Sequence, residues 1–263
     1  DKPAVLPLSV LFFVLSLYTF NSCRIFVPLF GLFLLMVFRK KLWCIRKWVG
    51  ISAVVGIIAL APLMPHLLSA DGKLRFNEVN IFSDLIPIGT ANKRIEVDEH
   101  AWWAPFFHNS RILFGVEMAR HYFDHINMNF LFINGDGNPK FSIRDVGQLY
   151  LWDLPFLCIG FYFIVRKREG LWYVVPVWLL FSIVPASVAR ETPHALRILN
   201  GFPTWQIITA YGFISVMSPC TRSLKRYMLY LIAGLLLFAN FFFYLYNYYM
   251  FYPKEYESEW QWG

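Results

Sequence analysis

Seven apolar runs, at about 4–20, 25–38, 49–69, 149–165, 171–188, 203–218 and 229–250, leave this chain few folds to choose from. Their residues are apolar all round rather than along one stripe, and most runs reach or approach the ~20 residues that a helix needs to cross a bilayer. The fold class that follows is all-α, a polytopic transmembrane helical bundle of about seven spans. The second run, "IFVPLFGLFLLMVF", is short for this purpose. It either recruits "NSCR" at its outer end or forms a re-entrant piece, and the spanning form is favoured. Charged residues make up 16% of the chain, against roughly 25% in an ordinary soluble domain. Lipid is therefore the expected solvent.

The net charge of +7, from 24 Lys and Arg against 17 Asp and Glu, is better explained by topology than by nucleic acid. "RKKLWCIRK", "RKREG" and "TRSLKR" follow the second, fourth and sixth runs, so seven alternating crossings put all three on one side. Short basic loops mark the cytoplasm. The opposite side then receives "NSCR", the large extracytoplasmic loop 69–148, the stretch "RETPHALR" and an extracytoplasmic tail starting at 251–263. Cys23, Cys44, Cys158 and Cys220 are scattered, which argues against a disulfide framework or a zinc site, and no metal ligand set is assigned. No Gly-rich phosphate loop, HExxH or Ser-His-Asp pattern points to soluble-nucleotide chemistry. The chain opens on Asp1, a few residues before a hydrophobic run and without a signal-peptide layout, and reads as a piece of something longer or processed.

Within the outer loop, the stretch from Ala70 to about Ser110 is expected to be mostly irregular, from its Gly, Pro, Asn and Asp content. After it, Ile112, Val116, Ala119, Tyr122, Phe123 and Ile126 recur at helical spacing, with Arg111, Glu117, Arg120, Asp124 and His125 falling mainly between them. This predicts an amphipathic helix on the outer membrane surface, either a cap over the bundle or a gate for substrate. "GDGNP", 135–139, reads as a turn.

Four ordered segments carry a resemblance. "YFDHINMNFLFINGDGNPKFSIRDVGQLYLWDLPFL", 122–157, resembles a segment of the bacterial family-39-like membrane glycosyltransferases, in which Phe-Leu-Phe, Gly-Asp and Asn-Pro-Arg-His-Ser lead into a Leu-Tyr-Leu span. "LYTFNSCRIFVPLFGLFLL", 17–35, is similar to an earlier span of the same proteins, "ETPHALRILNGFP" to their late outer loop, and "YYMFYPKEYESEWQWG" to the start of their C-terminal soluble portion. Lys140 and Phe141 depart from the usual Arg-His, and Asn21 from an aromatic or His. The family belongs to the GT-C superfamily, with protein mannosyltransferases and aminoarabinose transferases among its relatives. The resemblance runs over nearly the whole chain, 1–263, but only over the later part of the family's pattern.

What the resemblance implies is an enzyme of a bacterial inner membrane that moves a sugar from a polyprenyl-phosphate donor to a protein, lipid or glycan acceptor on the extracytoplasmic side. Its partners would be that donor, the acceptor and membrane lipid, with no nucleic acid. No organic cofactor is implied, and a divalent metal is left open. The family's catalytic acids lie in an earlier outer loop, so no catalytic residue is assigned here. Loss of a polyprenyl phosphate from the sugar requires cations to hold the leaving phosphate, and Arg suits this through its planar, permanently charged fork. Arg197, Arg24 and Arg190 are the outward arginines nearest apolar runs, with His194 three residues before Arg197. Pro193 suits the first turn of a helix, which would put His194 and Arg197 on one face, beside free backbone N–H groups. Glu191 would orient one of them, and Asp136 would brace its loop through local backbone hydrogen bonds. Snorkelling to headgroups is the competing account of each arginine. A polytopic transporter or a non-enzymatic membrane scaffold would share the composition, although no internal repeat is visible and Asp153 is the clearest acid within a span.

Overall fold

In the computed structural model, residues 2–218 and 223–259 are described, and among them the structure is all-helical. The one strand-like feature is an isolated antiparallel bridge between Asn80 and Ala189. Each of the seven apolar runs becomes a helix: α1 Leu6–Thr19, α2 Cys23–Cys44, α3 Arg46–Leu60, then, after the outer loop, α9 Asp153–Lys167, α10 Val174–Ser187, α11 Phe202–Met217 and α12 Ser223–Tyr246. Between them lie α4 Met64–Leu68, α5 Ala70–Val79, α6 Ile86–Val97, α7 Ala104–Phe107 and α8 Ser110–Asp124, and the chain continues from α12 to α13 Tyr252–Glu255. Cys220 and Trp260 lie outside the described residues.

Two helical stretches are long and apolar enough to cross a membrane, Arg46–Leu68 with 23 residues and Tyr227–Glu255 with 29. At 1.5 Å per residue they reach about 34 and 43 Å, against a hydrocarbon core of about 30 Å. α9, α10 and α11 have 15, 14 and 16 residues and reach only about 21–24 Å. α2 has the length, with 22 residues, but carries Arg24, Arg39, Lys40 and Lys41. The seven runs are thus seven helices, and two of them meet the length and composition for a span.

The loop 69–148 corrects the expectation of irregular chain. Residues Ala70–Val79, Ile86–Val97 and Ala104–Phe107 are helical, and Pro87 and Pro105 occupy the first turns of α6 and α7. Proline is accommodated there because its missing N–H would have no intrahelical partner. The residues read as loop signals are helix starters.

The chain divides into two compact units, the first made of Asp1–Tyr122 and Val184–Glu191, the second of Phe123–Ile183 and Thr192–Gly263. In the first unit α1 packs against α3, where a Cβ on Gly56 would lie 3.1 Å from Val10 Cγ1, and the Tyr18 hydroxyl donates to the Ala59 carbonyl at 2.5 Å. Residues 79–81 and 188–190 pair in the same unit: the Ile81 N–H donates to Val188 O and the Arg190 N–H to Val79 O, both at 2.9 Å. In the second unit α9 and α11 are in backbone contact. A Cβ on Gly160 would overlap the Ile208 carbonyl, and one on Gly212 the Phe156 carbonyl. Phe130, Leu131, Leu157, Leu179, Ile183, Ile198, Trp205 and Ile208 form its buried core.

α8 confirms a helix over 110–124 but does not bury the apolar stripe that its spacing picks out. Val116 is 60% and Phe123 68% exposed, and Ile112 also stands in the open, whereas His121 is buried with its Nε2 3.0 Å from Glu117 Oε1. Arg111 and Arg120 are exposed, and Glu117 and Asp124 are half-buried. The imidazoles of His121 and His125 are buried because they find partners.

Candidate functional site

The second unit gathers polar side chains around the segment Thr192–Ala195. His125 follows α8 directly and is wholly buried, while Asp136 and His194 are 3% and 6% exposed. The His194 backbone N–H donates to His125 Nε2 at 3.0 Å, and the next amide, that of Ala195, donates to Asp136 Oδ2 at 2.7 Å. One step earlier, the Thr192 hydroxyl donates to Asp124 Oδ2 at 2.9 Å. The Thr192–Pro193 peptide is cis. Side chains from 124–136 therefore hold three positions of a loop some 60 residues further on.

Local chemistry explains how Asp136 arrives there. "GDGNP" is the turn its composition predicts: Gly135 adopts φ +67°, a left-handed conformation that costs Gly little, and Asp136 Oδ1 accepts the Asn138 N–H at 2.9 Å. The turn is thus braced locally, as expected, while the second carboxylate oxygen reaches Ala195. Asp136 Oδ2 also lies 3.8 Å from His194 Nδ1. Phe141 packs its ring against that imidazole, with centroids 4.6 Å apart and planes 31° off parallel. Phe141, the departure from the family pattern, is therefore part of the cluster. Further along, the Tyr252 hydroxyl donates to the Pro139 carbonyl at 2.6 Å and ties the C-terminal helix to the same turn.

Arg197 sits half-buried in a 3-10 helix, Leu196–Gly201. That helix starts later than Pro193 suggested, so His194 precedes it and does not share a helical face with Arg197. The physical reason is visible in the donors: the amides of His194 and Ala195 are given to side-chain acceptors, and helical hydrogen bonding begins after them. These two amides are consequently not open to an anion, and any phosphate held here would rely on the Arg197 side chain. The far end of the helix is fixed as well. The Trp178 indole N–H donates to Asn200 O at 2.8 Å, and a Cβ on Gly201 would overlap the Ser182 hydroxyl.

The other sequence candidates belong to the first unit. Arg190 is exposed, and its Nε donates to the Asn80 carbonyl at 3.0 Å; Glu191 is exposed beside it. Arg24 is half-buried in the first turn of α2, its Nε 3.4 Å from the Leu17 carbonyl. Tyr122 ends this unit's share of α8, and burial pushes its phenol above the ordinary value. Asp136 and His194 are brought together; Arg24, Arg190 and Glu191 fall in the other unit.

Sequence reasoning missed Asp124, His125 and Thr192. Asp124 and His125 fall between the apolar positions of the amphipathic stretch, and no local pattern marks them as partners of a distant loop. Among the described residues no group of three or more His, Cys, Asp or Glu side chains is arranged to hold a metal. No protein-family model matches the chain, and neither a curated protein nor a solved structure matches it.

Proposed function

We propose that this chain is part of a membrane glycosyltransferase that moves a sugar from a polyprenyl-phosphate donor to a protein, lipid or glycan acceptor on the extracytoplasmic side of a bacterial inner membrane. One observation carries the reading: two of the four segments that carry the resemblance, 122–157 and 191–203, meet through Asp124, His125, Asp136 and Phe141 on one side and Thr192, His194 and Ala195 on the other. A loop held this firmly beside an arginine suits electrostatic catalysis, which depends on charges fixed before the reaction rather than recruited during it.

In this reading Arg197 binds the donor phosphate and stabilises it as the sugar–oxygen bond breaks, and His194 borders that site. The resemblance assigns deprotonation of the acceptor to an acid in an earlier outer loop. All seven apolar helices cross the membrane with the basic loops inside; the shorter ones do so with local thinning of the bilayer or by drawing flanking residues in. Arg24 and Arg190, which belong to the first unit, anchor to lipid headgroups.

The test is transfer in the full-length protein from undecaprenyl-phosphate-linked sugars. Arg197→Lys keeps the charge and loses the bidentate fork. We expect a loss of tenfold or more in kcat/KM at normal expression. Wild-type turnover in both Arg197→Lys and Arg197→Gln would refute the phosphate role. In sealed cells, a cysteine at 108 should be labelled from outside and cysteines at 46 and 168 should not; labelling at 46 or 168 would sink the seven-crossing topology.

A further inference from the structure

We propose that His125 is a positioning residue for the Arg197 site: with Asp136 it forms a buried two-acceptor clamp on consecutive amides, and this clamp sets where Arg197 stands. The inference rests on the function proposed above.

The geometry is specific. A backbone amide can only donate, so the 3.0 Å contact requires His125 Nε2 to be the unprotonated ring nitrogen, with the proton on Nδ1. The ring is wholly buried and stands edge-on to Phe130, centroids 5.8 Å apart and planes 82° off parallel, so it has little freedom to turn away from the amide. Asp136 supplies the next acceptor in line, a carboxylate on the Ala195 N–H at 2.7 Å. A charge-assisted bond and a neutral one thus hold adjacent peptide groups two and three residues before Arg197. The helix carrying Arg197 is only six residues long, and Trp178 and the Gly201–Ser182 contact hold its other end. Pinned at both ends, so short an element has one place to present its arginine. Removing the His125 acceptor strands a buried N–H, and the segment leading into the helix is then free to shift.

The test uses the full-length protein in nanodiscs, with two readouts: hydrogen exchange of the amides of residues 194 and 195, and affinity for undecaprenyl phosphate. His125→Gln restores an acceptor near the position of Nε2. His125→Leu keeps bulk without an acceptor, and His125→Asn is polar but too short to reach. We expect exchange at least tenfold faster and affinity at least fivefold weaker in the Leu and Asn variants, with Gln within about twofold of wild type on both. Unchanged exchange in His125→Leu overturns the clamp. Faster exchange with unchanged affinity confines His125 to a structural role and overturns the positioning. If the Leu variant fails to fold, the Gln and Asn pair decides, and equal behaviour of the two overturns the proposal. Wild-type protein that does not bind undecaprenyl phosphate removes the functional reading and the positioning role with it, while the exchange rates still decide the clamp.

Discussion

The α9–α11 pair and the long helical stretch Tyr227–Glu255 belong to the same unit and solve the burial of apolar helices in opposite ways. α9 and α11 are short, 15 and 16 residues, and their backbones touch through Gly160 and Gly212. Tyr227–Glu255 has 29 residues, and almost none of its most apolar window is buried by protein. On the membrane reading proposed above, lipid tails are as apolar as Leu, so one apolar helix gains little by leaving them for another; close association then has to come from dispersion, which requires small residues that let backbones approach. The short pair has those residues at the two contacts. The long helix has length and apolarity instead, and most of its aliphatic and aromatic side chains, from Tyr227 to Phe251, stand exposed. Specific positions matter in the pair; in the long helix only the average does.

The comparison breaks most sharply at Gly212. A leucine there must displace the Phe156 carbonyl and the Gly160 amide, both backbone atoms that cannot rotate out of the way. We expect more than about 4 kcal/mol of destabilisation, beyond the ~1–3 kcal/mol typical of an overpacked but adaptable core. Unfolding in SDS titration, or loss of the monodisperse species, reads this directly. Wild-type stability in Gly212→Leu would show that α9 and α11 are not in backbone contact.

This contrast also separates what was legible in the sequence from what was not. Uniform apolarity is a property of a window, so the seven helices and the all-α class could be read residue by residue. Span length could not, because Phe20 and Asn21 end α1, and "LWY", 171–173, before α10 reads as apolar although the helix starts at Val174. Gly160 and Gly212 looked like any other glycine within a helix, since their meaning depends on a partner 52 positions away. The candidate site shows the same division. Asp136 was legible as a turn residue because its bond to Asn138 is two residues long; its bond to Ala195 spans 59 residues and no local pattern announces it. His125 was lost for the opposite reason. Helical periodicity puts it among the polar positions, which suggests an outward residue, whereas its ring accepts a backbone N–H and is wholly buried.

A second prediction sharpens the comparison from the side of the long helix. Leu235 lies exposed within "LYLIAGLLLFANFFF", 229–243, the most continuous apolar part of Tyr227–Glu255. If lipid surrounds it, Leu235→Arg places a charge in hydrocarbon, at about 2.5–3.5 kcal/mol on insertion scales. The expected result is reduced membrane integration in a glycosylation-reporter assay, with a smaller deficit at Tyr227 or Tyr249 near the ends, where an arginine can snorkel to the interface. Equal effects at all three positions would mean that this helix does not sit across a bilayer.

The smallest effect comes from the gentlest change at the same site. Leu235→Ala removes three carbons from a side chain that touches little protein, so no cavity forms in the folded state and lipid fills the space in folded and unfolded states alike. Stability should change by no more than about 0.5 kcal/mol. The matched truncation Ile208→Ala, in α11 at the Gly160 contact, removes a wholly buried side chain that neighbours cannot replace, and should cost about 2–5 kcal/mol. Both variants can be measured by SDS titration of the same purified protein, so the difference between them is independent of how the unfolded state is defined. If Leu235→Ala costs as much as Ile208→Ala, the long helix is packed against protein, from a second copy or another chain, and the division between a pair built on specific contacts and a helix built on its solvent has to be given up.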